Sequence, residues 1–150
     1  VVGSLGSDTA RSFTVMGDTV NQASRIEAAN KVYKTRLLID EMTYSLAGPS
    51  IEARHIDNVV LFGRQDSIGI YELAAIAGEL TPLQSLLFDH YHDGLMYYQD
   101  ANWAKAEAAF LAALEVTPDD GPSLELLSRV QKFRMTPPDN WSGTWKLGSK

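Results

Sequence analysis

Apolar and polar residues follow two different rhythms along this 150-residue chain. Up to about Ala77 the rhythm is mixed. Ser12 to Met16 alternates small, aromatic and β-branched residues, which predicts a strand. Gly17-Asp18 breaks it; Asp18 suits a helix cap, and Thr19 to Lys31 is the helix expected to follow. Arg36 to Ile39 predicts a short buried strand, and Asp40 to about Ala47 a brief helix ended by Gly48-Pro49. Two further strands, His55 to Phe62 and Ser67 to Leu73, are joined by the turn Gly63-Arg64-Gln65-Asp66. Beyond Gly78 the period becomes helical. Pro82 suits a first turn, and Leu83, Leu86, Leu87, Tyr91 and Leu95 recur behind it. Asp100-Ala101-Asn102 marks a break before a second helix from Trp103 to about Val116, with Ala106, Ala109, Phe110, Ala113 and Leu114 on one side. Thr117-Pro118-Asp119-Asp120 stops that helix, Ser123 to Arg134 forms a third, and Pro137 to Trp141 is an extended tail. The expected class is α+β over residues 1–77, followed by a small all-α segment over residues 78–150.

Composition narrows the function. Apolar residues make up 45% of the chain, enough for a packed core and against disorder. The net charge of -6 leaves no basic footprint for nucleic acid and no polybasic membrane patch. With no cysteine there is neither a disulfide framework nor a thiolate metal site. Apolar runs such as Ser67 to Ala77 fall well short of the roughly 20 residues that span a bilayer. Val1 and Val2 lead straight into a strand-like segment, so the chain is expected to begin inside a domain.

The helix after Asp18 carries the candidate chemistry. At 3.6 residues per turn Asn21 and Arg25 lie one above the other, about 40° apart, while Val20, Ala23 and Ile26 fall on the opposite arc and can pack on a sheet. Arg offers five fixed donors and a permanent charge, matched to phosphate oxygens, and an amide can hold a sugar oxygen. On spacing alone the pair reads as surface hydrogen-bonding residues, and Thr14 as an ordinary β-branched strand residue.

The run Val2-Gly-Ser-Leu-Gly-Ser7 and then Phe13-Thr-Val-Met-Gly-Asp-Thr-Val-Asn-Gln-Ala-Ser-Arg-Ile-Glu27 closely resembles the second half of the class III adenylate and guanylate cyclase catalytic domain. Leu37-Leu-Ile39, Val59-Val-Leu-Phe-Gly63 and Ile70-Tyr-Glu-Leu73 follow in the family's order, so the resemblance covers roughly Val1 to Ala77. It implies a partial ferredoxin-like sheet with helices. It implies that Arg25 stabilises charge on the α-phosphate of ATP as the ribose 3′-hydroxyl attacks, and that Asn21 positions the ribose. Thr14 falls at the purine-reading position, where threonine marks a branch of adenylate cyclases and favours ATP; a GTP-preferring cyclase is the alternative. In this family two aspartates of the first half hold two divalent ions, Mg or Mn, and a lysine of that half helps to read adenine. No counterparts are present here. Asp18 and Asp40 stand at helix starts and are not renamed as ligands. Family members work as head-to-tail dimers, so this chain is expected to supply one side of a shared site, to bind no metal alone and to be inactive alone. The half-domain is not expected to fold unaided, because the missing strands leave an apolar edge exposed. The resemblance also implies a cytosolic catalytic part, in a parent that can carry upstream sensor and membrane segments. Gly3-Ser-Leu-Gly-Ser7 lacks the Gly-Lys-Ser/Thr ending of a phosphate loop and is set aside as a tight turn.

Gly94, Tyr97, Ala106, Phe110, Ala113 and Pro118 are spaced as in one tetratricopeptide repeat, which the segment resembles, although His90 and Asp93 replace the usual Trp and Leu. A lone repeat buries its face poorly and is expected to dock on the third helix, on the cyclase half or on a protein partner. The tail Trp141-Ser-Gly-Thr-Trp145 is expected to seal it. His90 and His92, two apart, point different ways on a helix and make no metal site. A non-catalytic interaction module built on this repeat is the reading from a different class.

Overall fold

The computed structural model describes residues 21–148. The expected strand Ser12 to Met16, the start of the following helix, and Thr14 lie outside them. Within the described residues the order is α1 (21–33), β1 (Leu38–Asp40), α2 (Glu41–Ala47), a 3₁₀ turn (Gly48–Ser50), β2 (Ile51–Val60), β3 (Ser67–Ile76), α3 (Pro82–Gln99), α4 (Trp103–Val116), α5 (Gly121–Met135) and β4 (Trp145–Lys146). The class is α+β, as expected. The sheet has the order β1-β3-β2-β4, antiparallel except for β4, which runs parallel to β2.

The starts and stops have local causes. α1 ends at Asn30-Lys31-Val32-Tyr33, where Lys34 takes a left-handed φ of 55° and the Thr35 N–H donates to the Asn30 carbonyl at 3.1 Å. Asp40 caps α2 through the Thr43 N–H. Thr81 and Gln84 cap α3 reciprocally, with Pro82 in the first turn. Asn102 caps α4, and Asp120 caps α5. The strand expected over Arg36 to Ile39 is shifted to Leu38–Asp40 and lies at the edge of the described sheet, leaving Leu37 45% exposed. β2 begins four residues before the expected His55, because Ile51 to Arg54 pair with the far end of β3. The expected tail includes a strand too short to show a period, Trp145–Lys146, laid against Val59 and Val60.

Parity in β2 decides what faces the helices. Arg54 pairs with Glu72 and Asp57 with Ile70, although residues three apart in a regular strand point to opposite faces. The register shift between His55 and Asp57 inserts Ile56 as one extra residue, which turns Arg54 and Asp57 to the same side. That side is covered by α1 and the helices α3 to α5, through a core that includes Tyr33, Ile56, Tyr91, Tyr98, Phe110, Leu126 and Val130. Within the helices, α3 and α4 fold back on each other so closely that a Cβ on Gly94 would lie 2.6 Å from the Phe110 ring. Trp141 of the tail closes the far end against Tyr98, Trp103 and Phe133.

Candidate functional site

α1 buries Ile26, Ala29 and Tyr33, a stripe at helical spacing that packs into the core. Arg25 lies roughly 100° around the helix from Ile26 and Asn21 roughly 140°, so both stand off the buried stripe. Asn21 is exposed and Arg25 half-buried, one turn apart. Arg25 reaches the turn between β2 and β3: a Cβ on Gly63 would sit 3.8 Å from its Nη2. Ala23, expected on the packed arc, is instead exposed, because that flank of α1 borders an open groove rather than the sheet.

The groove measures about 790 Å³ and runs between α1, β1 and α2. Its walls include Gln22, Ile26, Leu37, Met42, Leu46 and Arg64. Met42 and Leu46 are 71% and 83% exposed.

α1 is fastened at both described ends. Near its start, Gln22 Nε2 donates to Asp40 Oδ2 at 2.6 Å, tying it to the junction of β1 and α2. Burial pushes the Asp40 carboxyl up, but the Thr43 N–H and the Gln22 amide outweigh it and hold the group below the ordinary aspartate value. At its other end, the Tyr33 hydroxyl donates to Asp57 Oδ2 at 2.7 Å. Arg129 of α5 closes the triangle, with Nη1 on the same Asp57 oxygen at 2.7 Å and Nη2 on the Tyr33 oxygen at 3.2 Å. Nη1 also reaches the Tyr98 hydroxyl at 3.3 Å, and the guanidinium stacks 3.9 Å over Trp145. Burial raises Asp57 above the ordinary carboxylate value against the pull of Arg129 and Tyr33. Burial and the neighbouring Asp57 charge raise Tyr33 well above the ordinary tyrosine value.

A second buried arginine repeats the design. Arg54 grips Asp120, the cap of α5, with two hydrogen bonds of 2.9 Å, and Glu72 Oε1 with two more, of 2.7 Å and 3.2 Å. Phe88 and Tyr91 of α3 each lie 4.7 Å from its guanidinium. The Tyr91 hydroxyl donates to the carbonyl of the bulged Ile56 at 2.6 Å.

None of Arg54, Asp57, Tyr33 and Arg129 stood out in the sequence. Arg129 follows Glu125 by four residues, the spacing of an ordinary solvated helix pair, and that pair does form at 2.9 Å. β2 gave no clear signal either, since Arg54 and Asp57 stand among Glu52, His55 and Asn58 in a half-polar strand.

Among the described residues no three His, Asp or Glu side chains converge as a metal donor set. No helix among the described residues is long and apolar enough to cross a membrane.

No family profile and no solved structure matches the chain. Curated proteins do. The chain is 31% identical over 135 residues to the terminal-differentiation specific adenylate cyclase of Dictyostelium discoideum, a match covering 86% of this chain and 6% of that protein. It is 36% identical over 76 residues to adenylate cyclase 1 of Rhizobium meliloti, covering 51% of the chain and 11% of the relative. It is 41% identical over 78 residues to an adenylate cyclase of Anabaena cylindrica, covering 50% and 16%. The chain thus spans less than a fifth of each of these relatives. The first match, at 135 residues, is too long for residues 1–77 and runs into the helical segment. Similarity to adenylate cyclases over half or more of the chain supports its place in a cyclase family.

Proposed function

We propose that this chain supplies the nucleotide-facing helix of an adenylate cyclase that converts ATP to cyclic AMP and pyrophosphate. The observation that carries the reading is α1 itself. Its apolar stripe is locked in the core, while Asn21 and Arg25 stand one turn apart outside that stripe, in a chain similar to adenylate cyclases. In the reaction the ribose 3′-oxygen bonds to the α-phosphorus, the bond to pyrophosphate breaks, and the hydroxyl proton is lost. Arg25 donates to the α-phosphate oxygens as charge gathers there, and Asn21 orients the ribose. Thr14 reads the purine and favours ATP. The two divalent ions belong to the other half of the domain, which in a head-to-tail dimer comes from a second subunit, so the chain alone is inactive. The catalytic part works in the cytosol, and α3 and α4 form a tetratricopeptide-like hairpin.

The test is Arg25→Ala in the complete cyclase. Turnover falls by about 10²-fold or more, the usual loss when a donor to a charged transition state is removed. Unchanged turnover would remove Arg25 from that role. Thr14→Asp, assayed with ATP and GTP side by side, tests the purine assignment.

A further inference from the structure

The helical segment reaches the candidate catalytic helix by two independent contacts. One is the triangle of Tyr33, Asp57 and Arg129, in which α5 and β2 share the hydroxyl that ends α1. The other is backbone against backbone. Gly121, the first residue of α5, lies so close to the end of α1 that a Cβ there would stand 2.2 Å from the Tyr33 carbonyl oxygen and 2.8 Å from Lys34 Cβ. The start of α5 is itself pinned to the sheet, because its cap Asp120 is gripped by Arg54. α1 therefore ends against a fixed stop built by the helical segment.

We propose that Tyr33 and Gly121 are positioning residues, through which α5 sets the placement of Asn21 and Arg25. The inference rests on the cyclase reading given above. Arg25 follows Gln22, the point where Asp40 holds the helix, by three residues, roughly 4.5 Å along the axis. A tilt of about 13° about that point moves Arg25 by about 1 Å, and a displacement of that size at reacting atoms can cost up to about 10² in rate. A helix fastened at one end by Gln22 and Asp40 pivots there when the other end is released.

Three variants separate positioning from plain stability. Tyr33→Phe keeps the ring and removes the hydroxyl. Gly121→Ala drives a methyl group against the end of α1. Tyr98→Phe removes a hydroxyl from the same Arg129 but on α3, and serves as the control. In the complete cyclase, amide hydrogen exchange across residues 21–33 quickens for the first two variants and not for the third. In the complete cyclase, Tyr33→Phe lowers kcat about 3- to 10-fold and Gly121→Ala about 10-fold or more, each with KM for ATP within about 2-fold. Tyr98→Phe leaves both constants unchanged. Equal losses in all three variants, tracking the fall in melting temperature, would overturn positioning in favour of general destabilisation. Unchanged exchange in α1 for both Tyr33→Phe and Gly121→Ala would overturn it outright. If exchange responds as expected but the unsubstituted complete protein makes no cyclic AMP from ATP, the mechanical coupling stands and the cyclase reading falls.

Discussion

The two faces of the sheet are finished in opposite ways. On the face toward α3 and α5, two arginines are buried among carboxylates, hydroxyls and aromatic rings, with nearly every partner supplied by a different element. On the other face, His55 of β2, Tyr71 of β3 and Tyr44 of α2 form a half-buried stack, with ring centroids 4.7 Å and 4.1 Å apart. Apolar side chains at the edge beyond it, Met42 and Leu46, stand largely in solvent. The first face depends on each charge keeping its partner. The second depends on stacking and area, where one loss costs little. Buried ion pairs add little net stability over an apolar replacement, but removing one partner strands a charge. The contrast therefore predicts very unequal responses to substitution.

The largest response belongs to Arg129→Met. It leaves the fully buried Asp57 carboxylate with only the Tyr33 hydroxyl and one backbone N–H, and should cost about 3–5 kcal/mol by urea denaturation. Pairing it with Asp57→Leu removes the stranded charge and should recover much of that loss. A single variant costing under about 1 kcal/mol would mean that the triangle is not what holds this face together.

Next comes alkaline pH. Burial raises the hydroxyls of Tyr33, Tyr91 and Tyr98 above the ordinary tyrosine value. The folded state then keeps protons that the unfolded chain releases, so the stabilisation is complete below a pH of about 10 and declines as pH rises beyond it. Each tyrosine contributes a slope of about 1.4 kcal/mol per pH unit while folded and unfolded values differ. Stability against urea, followed with tyrosinate absorbance, should fall steeply in that range. Tyrosinate forming in the folded protein without loss of stability would show that the face admits water.

Much of the frame was legible from single residues. Asp40, Pro82, the break at Asp100-Ala101-Asn102 and the stop at Thr117 to Asp120 mark the helix boundaries, while the caps Thr81 and Asn102 emerge only from the structure. Asn21 and Arg25 were visible through a resemblance in register rather than through their spacing, which many helices share. The buried arginines were not legible, for two physical reasons. Arg54 and Asp57 share a face only because Ile56 bulges, and a one-residue bulge leaves no period to detect. Arg129 carries an apparent surface pattern with Glu125, while its decisive partners lie 72 and 96 residues away in Asp57 and Tyr33. β4 escaped because two residues paired across the chain have no rhythm of their own.

On the open face the responses shrink. Tyr44→Ala removes one ring of the stack with Tyr71, whose planes are only 4° apart, and should cost about 0.5–1.5 kcal/mol beyond the area lost. The substitution leaves the buried arginines untouched, so hydrogen exchange in α5 should not change. A loss of several kcal/mol from Tyr44→Ala would erase the contrast between the faces, because it would give this stack the weight of the ionic side.

The smallest effect is expected at Leu46. Its side chain is 83% exposed on α2, facing the groove beside α1, and replacing it by Gln removes little buried area. Surface changes of this kind stay within about 0.5 kcal/mol. Leu46→Gln should therefore leave the urea midpoint of the chain in place while raising its solubility, since an exposed apolar side chain beside an edge strand favours self-association. A cost above about 1 kcal/mol would mean that Leu46 is covered in solution. The open face would then be as finished as the ionic one, with part of its covering supplied from outside residues 21–148.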